Sequence, residues 1–392
     1  MSKHWDVIKI NKYYMDNSAT TPIDADVLKV MVDCYQNCFG NPSSLHRLGL
    51  ESEKMVKQAR QVIASEIGGE PSDIFFTSGG TEANNIALKG AARALKRSGN
   101  HIVTTAVEHP AVLDTMQSLR EEGFIVDVAG VKQDGTVDLE QLAELLREDT
   151  ILVSVMHVNN EAGSVNDLAQ ISAMVHANPN TLLHVDAVQS FAKLPINVKK
   201  LKIDLLSMSA HKIHGPKGVG AMYRRKGIRL VPLMQGGGQE SGLRPGTENV
   251  PGIVGFARAC ELQAKSRTDF IENCTQIRDV IITAIQEKKV PCSINTCIES
   301  SVPYILNISF AGAKGEVMVH MLEEYGIFVS TGSACSSRKK HASHVLKAMG
   351  LPQKYLESAL RLSFSRFNTP EEACYAVEKL CACADSLRSM GR

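Results

Sequence analysis

The stretch Asp204-Leu-Leu-Ser-Met-Ser-Ala-His-Lys-Ile-His-Gly-Pro-Lys-Gly-Val-Gly220 places Lys212 directly after an apolar run, in a turn rich in Ser, His and Gly. A lysine at the end of a strand, partly removed from water, can lose its proton and form a Schiff base. The alternative is a solvated loop lysine, which is the ordinary state of this residue type. The segments around this stretch favour the first interpretation.

Short apolar, β-branched runs alternate with helical patterns from the N-terminal part of the chain to residue 224. Such alternation is typical of βαβ units, so it predicts an α/β fold with a mostly parallel sheet. The segment 51–67 shows the helical period, with its apolar side chains on one face. The predicted strands are residues 74–78, 101–107, 125–129, 151–158, 182–188, 204–209 and 220–224.

The chain has 392 residues, which is long for one hydrophobic core, so two domains are expected. A helical period runs almost unbroken over residues 253–287 and is long enough to link them. We predict a large α/β domain at residues 15–256 and a small α+β domain formed by residues 1–14 and 257–392. In the small domain the predicted strands are 304–310, 328–331 and 360–364, and the predicted helices lie near 315–325, 343–349 and 370–386.

Composition argues against several classes of protein. Hydrophobic residues make up 44% of the chain, yet no stretch approaches the roughly 18 apolar residues of a membrane helix. Residues 1–14 lack the apolar segment of a secretory signal, so a cytoplasmic location is expected. The 43 basic and 42 acidic side chains nearly balance, and no segment is basic enough to suggest a groove for direct nucleic-acid binding. The ten cysteines include no CxxC pair and no companion pair at zinc spacing, so no metal site is expected.

A carboxylate ends the apolar strand before the Lys212 strand. Asp186 lies among apolar neighbours, where an unpaired carboxylate is costly. A structural salt bridge is one explanation. The protonated nitrogen of a pyridine cofactor is the other, because such an ion pair keeps the ring a good electron sink.

The run Ile74-Phe-Phe-Thr-Ser-Gly-Gly-Thr81 reads as a strand, a glycine turn and the start of a helix, with Thr81 placed to cap it. Backbone amides and the helix dipole at such a point bind phosphate. Gly79 and Gly80 permit a close approach, although many folds use the same turn as a plain connection.

Cys335 has surroundings that differ from those of the other nine cysteines. It lies in the polar run Ser330-Thr-Gly-Ser-Ala-Cys-Ser-Ser-Arg-Lys-Lys340, where a thiol is expected to be exposed and is followed by three cations. An ordinary loop thiol is the alternative. Cys260 and Cys274 fall on the apolar side of the helical pattern and are expected to be buried.

Together these motifs resemble the NifS/IscS-type cysteine desulfurases over nearly the whole chain. The resemblance implies a fold-type I enzyme of the class V aminotransferase group that uses pyridoxal 5'-phosphate. It also implies a homodimer that converts L-cysteine to L-alanine and passes the sulfur, held as a persulfide, to an acceptor protein. The matching segments are His184-Val-Asp-Ala-Val-Gln-Ser, Ser209-Ala-His-Lys-Ile-His-Gly-Pro-Lys-Gly-Val-Gly, Met156-His-Val-Asn-Asn-Glu, Gly236-Gly-Gly-Gln-Glu-Ser-Gly-Leu-Arg-Pro-Gly-Thr-Glu-Asn and Gly332-Ser-Ala-Cys-Ser-Ser.

The resemblance gives each matching residue an expected role. Lys212 forms the Schiff base, Cys335 takes the sulfur, and His109 stacks on the cofactor ring. Asp186 pairs with the ring nitrogen, and Arg361 grips the substrate carboxylate. The remaining expected contacts are Gln189 and Asn160 at the ring hydroxyl, with Asn160 also at the substrate; Gly80, Thr81, Ser209 and His211 at the phosphate; and Thr247 at the phosphate of the neighbouring subunit.

Two features depart from the best-known members. The chain ends at Arg392 without their longer tail, and the run after Cys335 looks more like desulfurases that feed tRNA thiolation or a dedicated metallocluster pathway. The acceptor is therefore expected to be a scaffold or a tRNA-thiolation enzyme. Ser365 stands where the family usually has Gly, which leaves the part played by Arg366 open. The alternatives are a selenocysteine lyase or aminotransferase of the same fold, and an inactive binding scaffold.

Overall fold

The structure is a computed structural model that describes residues 13–332 and 342–390. Its helices are α1 (Ala25–Asn37), α2 (Arg47–Glu66), α3 (Gly80–Leu95), α4 (Pro110–Glu121), α5 (Leu139–Leu145), α6 (Leu168–Val175), α7 (Val250–Lys265), α8 (Arg267–Glu287), α9 (Gly315–Glu323), α10 (His344–Ala348), α11 (Gln353–Leu356) and α12 (Pro370–Met390). Its strands are β1 (Tyr13–Tyr14), β2 (Ile74–Thr77), β3 (His101–Thr105), β4 (Ile125–Ala129), β5 (Thr150–Met156), β6 (Leu182–Asp186), β7 (Leu205–Ser209), β8 (Gly220–Arg224), β9 (Ser293–Ile294), β10 (Ile305–Ser309), β11 (Ile327–Phe328) and β12 (Ala359–Ser363).

Seven strands form the main sheet, in the order β2-β8-β7-β6-β5-β3-β4. The pairs from β7 to β4 are all parallel, whereas β8 runs antiparallel to both β2 and β7. This confirms the predicted α/β fold, and the predicted strands agree with the observed ones except at their ends. Every residue of β5 and β6 is buried, as expected for strands covered by helices on both faces.

Helices cover the sheet with faces that the sequence indicates. On α2 the side chains of Val56, Ala59 and Ile63 recur at the helical period and are buried in the same core as Phe256 of α7. On the other face, α3 buries Ile86 and a run of small alanines against the sheet. The sheet is therefore fixed between two helical layers, which holds the ends of its strands in place.

A second hydrophobic core lies under a small antiparallel sheet of order β12-β10-β9, packed against α8 and α12. The helical run predicted over residues 253–287 is interrupted at Ser266, whose hydroxyl donates to the Leu262 carbonyl and whose backbone leaves helical geometry. Cys260 still packs in the core of the large sheet, and Cys274 packs in the second core. The predicted division into a large domain at residues 15–256 and a small domain at residues 1–14 and 257–392 remains a proposal.

The strand predicted at residues 328–331 is shorter than expected. β11 ends at Phe328, and an isolated bridge joins Ser330 to Arg361. β1 pairs in parallel with β11, so the start of the described chain lies beside Ile327 and Phe328. Within residues 13–332 and 342–390, no helix combines the length and apolar character needed to cross a bilayer.

Candidate active site

A cavity of about 180 Å³ lies where the carboxyl ends of β6 and β7 meet the start of α3 and the strand β12. Parallel strands end at one edge of a sheet, which is the usual place for a ligand in an open α/β fold. The predicted residues that line this cavity are Gly80, Thr81, His109, Asn160, Asp186, Gln189, Ser209, His211, Lys212 and Arg361. The fold thus brings together most of the residues chosen from the sequence.

Lys212 lies in the short 3-10 turn that directly follows β7, as its sequence context predicts. Its Nζ donates hydrogen bonds to the backbone carbonyls of Ser18 and Ala19, the latter at 2.7 Å. The Thr21 hydroxyl donates to the His211 carbonyl at 2.9 Å. Ser18 and Ala19 therefore line one wall of the cavity, a position that no sequence motif predicted.

Asp186 ends β6 with its side chain almost fully buried at 6% exposure. Asn84 Nδ2 donates to one carboxylate oxygen at 2.7 Å, and the Val188 amide donates to the other at 3.0 Å. Asn84 is a site residue that the sequence analysis missed. The available signal was its position one helical turn after Gly80, which places both residues on the same face of α3.

The turn before α3, which is predicted to bind a phosphate at this end of the cavity, differs from expectation in one detail. The residue preceding α3 is Gly79, with a positive φ of 155°, and Thr81 lies inside the first turn rather than at the cap. The capping role predicted for Thr81 is therefore wrong, because the glycine makes the turn and the helix starts earlier. A Cβ on Gly80 would come within 2.6 Å of Val188 Cγ2, so the backbone is open to the cavity only with glycine there.

Two further polar groups face this end of the cavity. Ser209 Oγ is buried without a hydrogen-bond partner among the described residues. His211 Nδ1 lies 3.1 Å from the Thr20 hydroxyl, and burial, reinforced by the charges of Lys212 and Lys217, lowers the pKa of His211 to about 3. A neutral His211 can donate or accept a hydrogen bond depending on its tautomer.

His109 begins α4 as its N-cap and accepts a hydrogen bond from the Ala111 amide on Nδ1 at 3.1 Å. Burial lowers the pKa of His109, with the Lys212 charge acting in the same direction. The ring is therefore neutral at neutral pH. Because Nδ1 accepts from the backbone, its proton lies on Nε2.

Glu108, the residue before His109, is fully buried, and no sequence motif singled it out. One carboxyl oxygen accepts from the Thr105 hydroxyl at 2.7 Å and from the Met156 amide at 2.9 Å. Burial raises the pKa of Glu108 to about 8, and the Asp186 charge adds to the effect. Glu108 is thus protonated at neutral pH, and it does not compete with Asp186 as a negative charge.

This raised pKa makes stability depend on pH. Between the ordinary pKa of a glutamate and about 8, the folded state binds a proton that the unfolded state has lost. The contribution of Glu108 is therefore full in acid and falls by about 1.4 kcal/mol per pH unit as the pH rises through this window. Denaturant unfolding at pH 6, 7 and 8 is expected to give a flatter profile for Glu108→Gln than for the wild type. Parallel profiles would contradict the assignment.

Arg361 lies in the middle of β12 and is only 1% exposed. Its Nη2 forms an ion pair with Asp16 Oδ1 at 2.7 Å, and Nη1 donates to the Asn160 carbonyl at 2.9 Å. Arg366, whose part the sequence left open, instead pairs with Asp24 and is not among the described residues that line the cavity.

Gln189 has a different partner from the one expected, and the expected roles of Thr247 and Cys335 stay untested. Gln189 donates from Nε2 to the Ser18 carbonyl at 3.0 Å, while its Oε1 is buried without a partner among the described residues. Thr247 is exposed in the loop before α7 and does not line the cavity of its own chain. Cys335 lies outside the described residues, so its role stays a prediction.

In the described chain, no group of three or more His, Cys, Asp or Glu side chains could hold a metal ion.

The described geometry has counterparts among known proteins. The model of the class-V aminotransferase family matches residues 13–375. Curated relatives include "Cysteine desulfurase IscS" of Dictyoglomus turgidum, 41% identical over 96% of this chain and 95% of its own. "Cysteine desulfurase IscS" of Proteus mirabilis is 44% identical over 96% of this chain and 94% of its own.

Solved structures agree with the sequence relatives. A "NIFS-LIKE PROTEIN" superposes with a TM-score of 0.90 at 41% identity, covering 95% of this chain and 99% of that one. A second structure, described as "SspA in complex with cysteine", has a TM-score of 0.80 at 35% identity and covers 91% of this chain and 99% of its own.

Proposed function

Because the chain belongs to the class-V aminotransferase family, and within it to the cysteine desulfurases, we propose that it converts L-cysteine to L-alanine and moves the sulfur to its own Cys335. The observation that carries the proposal is a cavity in which a lysine amine, a buried carboxylate and a buried arginine converge. Lys212, Asp186 and Arg361 there provide an amine, an anion and a cation. An amino acid bound to a pyridine cofactor requires these three partners.

The residues of the cavity fit pyridoxal 5'-phosphate. Ser209 Oγ and Gln189 Oε1, buried and without a partner among the described residues, are polar atoms that such a ligand would satisfy, and Asp186 is a carboxylate suited to a protonated ring nitrogen. When bound, the cofactor supplies an electron sink that stabilises negative charge on the substrate Cα. The groups proposed for the phosphate are Gly80, Thr81, Ser209 and His211 of this chain and Thr247 of a neighbouring subunit; Asn160, Gln189 and His109 are proposed for the ring.

Lys212 is proposed both as the covalent attachment point and as the group that moves the substrate proton. Its amine is held at the cavity wall by the Ser18 and Ala19 carbonyls, which keeps it near any ligand in the cavity. Positioned amines of this kind carry out general acid and base steps. Arg361 would hold the substrate carboxylate, with the Asn160 backbone fixing its guanidinium.

The sulfur step is proposed as a transfer between two thiols. The Cys335 thiolate attacks the substrate sulfur, the carbon–sulfur bond breaks, and the substrate carbon takes up a proton. Cysteine and the enzyme thiol thus give alanine and an enzyme persulfide, and no outside oxidant or reductant is needed. None of the cysteines in the described chain lines the cavity, and burial raises the pKa of Cys34, Cys260 and Cys274, which makes them poor nucleophiles.

A homodimer is supported by exposed apolar side chains on α1, on the segment after it and at the start of α2. Phe39 is 72% exposed and Leu45 is 94% exposed. Exposed apolar patches of this kind mark surfaces that bind another protein. The surface consists of Leu28, Val32, Tyr35, Phe39, Leu45, Leu48 and Leu50. We propose that a second copy covers it, and that the dimer acts in the cytoplasm on L-cysteine and hands sulfur to a scaffold or tRNA-thiolation protein.

The proposed function is tested by incubating the purified protein with pyridoxal 5'-phosphate, L-cysteine and a thiol reductant. Alanine and sulfide are expected to form in equal amounts. Formation of a keto acid together with an aminated cofactor would indicate an aminotransferase instead. Binding of the cofactor without any product from cysteine would indicate an inactive scaffold.

Arg361→Ala is expected to raise the concentration of cysteine needed for half-maximal rate while leaving the absorption spectrum of the bound cofactor nearly unchanged. The lost charge-assisted contact to the carboxylate is worth roughly 1.5–3 kcal/mol. Steady-state alanine formation measures the effect, and cofactor titration measures retention. An unaltered half-saturating concentration would rule out this role for Arg361.

A further inference from the structure

The ion pair behind the cavity has a feature that the proposed reaction does not use. The Arg361 guanidinium lines the cavity, whereas Asp16 is not among the described residues that line it. Asp16 Oδ1 nevertheless lies 2.7 Å from Arg361 Nη2. The Asp16 carboxylate therefore already pairs with the guanidinium that would receive the substrate carboxylate.

Asp16 is held firmly in this place by the backbone around it. It forms a parallel bridge with Ser363, two positions along β12 from Arg361, and the Ser363 amide donates to the Met15 carbonyl at 2.7 Å. The Asp16 carbonyl accepts from the Ala19 amide at 3.0 Å and from the Tyr14 hydroxyl at 3.0 Å. These contacts make Asp16 a fixed partner of the guanidinium and not a mobile surface group.

The guanidinium retains donors for a second anion. A guanidinium has five N–H groups, and the Asn160 carbonyl and Asp16 occupy one on each terminal nitrogen. Arg361 Nε is buried without a hydrogen-bond partner in the described chain, so not every donor of the guanidinium is paired. Asp16 and the substrate carboxylate can thus share one cation, and they repel each other while doing so.

We propose that Asp16 is a positioning residue that fixes the Arg361 guanidinium and also limits how tightly the cavity holds a carboxylate. This inference rests on the proposed function, because it takes the ligand to be an amino acid. Substrate and product carry the same carboxylate, so tight binding of that group would slow the release of alanine without helping the reaction. A built-in competing anion keeps the orientation of Arg361 and weakens that uniform binding.

The test uses L-alanine, which has the carboxylate but no sulfur to transfer, with the cofactor-loaded protein. In Asp16→Asn the hydrogen bond to Arg361 is retained and the negative charge is removed. Calorimetry is expected to show L-alanine binding about ten-fold tighter than in the wild type. In turnover, KM for cysteine is expected to fall together with kcat, because the carboxylate of both substrate and product is held more tightly and alanine is released more slowly.

Two variants serve as controls. Asp24→Asn changes a similar ion pair, with Arg366 at 2.5 Å and both side chains 14% exposed, that lies off the cavity; it is expected to leave alanine affinity unchanged. Arg361→Ala is expected to lose alanine binding. If Arg361→Ala binds alanine as the wild type does, the proposed substrate site itself is wrong.

Asp16→Ser is measured in parallel, so that a folded variant without the charge is available if Asp16→Asn does not fold. Circular dichroism identifies the folded variants. If Arg361→Ala loses binding but the folded Asp16 variants bind alanine no more tightly than the wild type, the inference about Asp16 is overturned while the proposed function stands. Equal tightening in Asp24→Asn would also overturn it, since the effect would then not depend on the cavity.

Discussion

A Cys335→Ser variant is expected to bind pyridoxal 5'-phosphate normally, to change its absorption spectrum on addition of cysteine, and to yield almost no alanine or sulfide even with a reductant present. A serine hydroxyl is far too weak a nucleophile at neutral pH to attack the substrate sulfur. Attachment of the substrate and removal of its proton need only Lys212 and the cofactor. The early steps should therefore proceed while the sulfur step stops.

A matched control is available in Cys374, which is exposed on α12 and does not line the cavity. Cys374→Ser is expected to form alanine at the wild-type rate. If Cys335→Ser retains near wild-type alanine formation, the assignment of Cys335 is refuted. The interpretation would then move toward a lyase that expels sulfur without a protein thiol.

Lys212→Ala is expected to lower the rate of alanine formation by about 10²–10⁴-fold, the usual contribution of a positioned general acid and base. The variant also loses the covalent link to the cofactor, so its absorption spectrum should change before any substrate is added. In the wild-type protein, borohydride reduction should fix the cofactor to the peptide that contains Lys212.

Lys217 is the informative comparison, because it lies in the same connection between β7 and β8 and its Nζ lies 3.4 Å from the Thr21 carbonyl. Lys217→Ala is expected to keep the borohydride-fixed link at Lys212. Recovery of the reduced adduct on Lys217 in the wild-type protein would show that the attachment point has been assigned to the wrong lysine.

The sequence predicted those parts of the site that follow strands or begin helices. Asp186 ends a buried strand, Lys212 follows the next, and Gly80 opens a helix, and parallel connections bring such ends to one edge of a sheet. This geometry requires only the alternation of strands and helices. The central cavity was therefore predictable from local patterns.

Contacts between distant parts of the chain could not be predicted in this way. The bond from Lys212 to the Ser18 carbonyl spans 194 residues, and that from Arg361 to Asp16 spans 345. Residues 16–21 have no periodic pattern that would indicate that Ser18 and Ala19 lie at the cavity wall and that Asp16 lies behind it. The same holds for Glu108, whose raised pKa results from burial that only the packed sheet creates.

Helix boundaries show a smaller limit of sequence interpretation. Thr81 is a residue type common at N-caps, but the N-cap of α3 is Gly79, two positions before it. At residues 253–287 the helical period continues through Ser266, although the backbone breaks there. Side-chain periodicity therefore predicts the buried face correctly while leaving the break in the helix undetected.

Transfer of sulfur to Cys335 is tested most directly by the mass of the peptide that carries Cys335 after a single turnover with cysteine in the absence of reductant. This peptide is expected to become heavier by one sulfur atom, with one alanine formed for each modified peptide, and reductant is expected to remove the added mass. Alanine formed without added sulfur on this peptide, or sulfur found on a different cysteine, would show that Cys335 does not accept the sulfur.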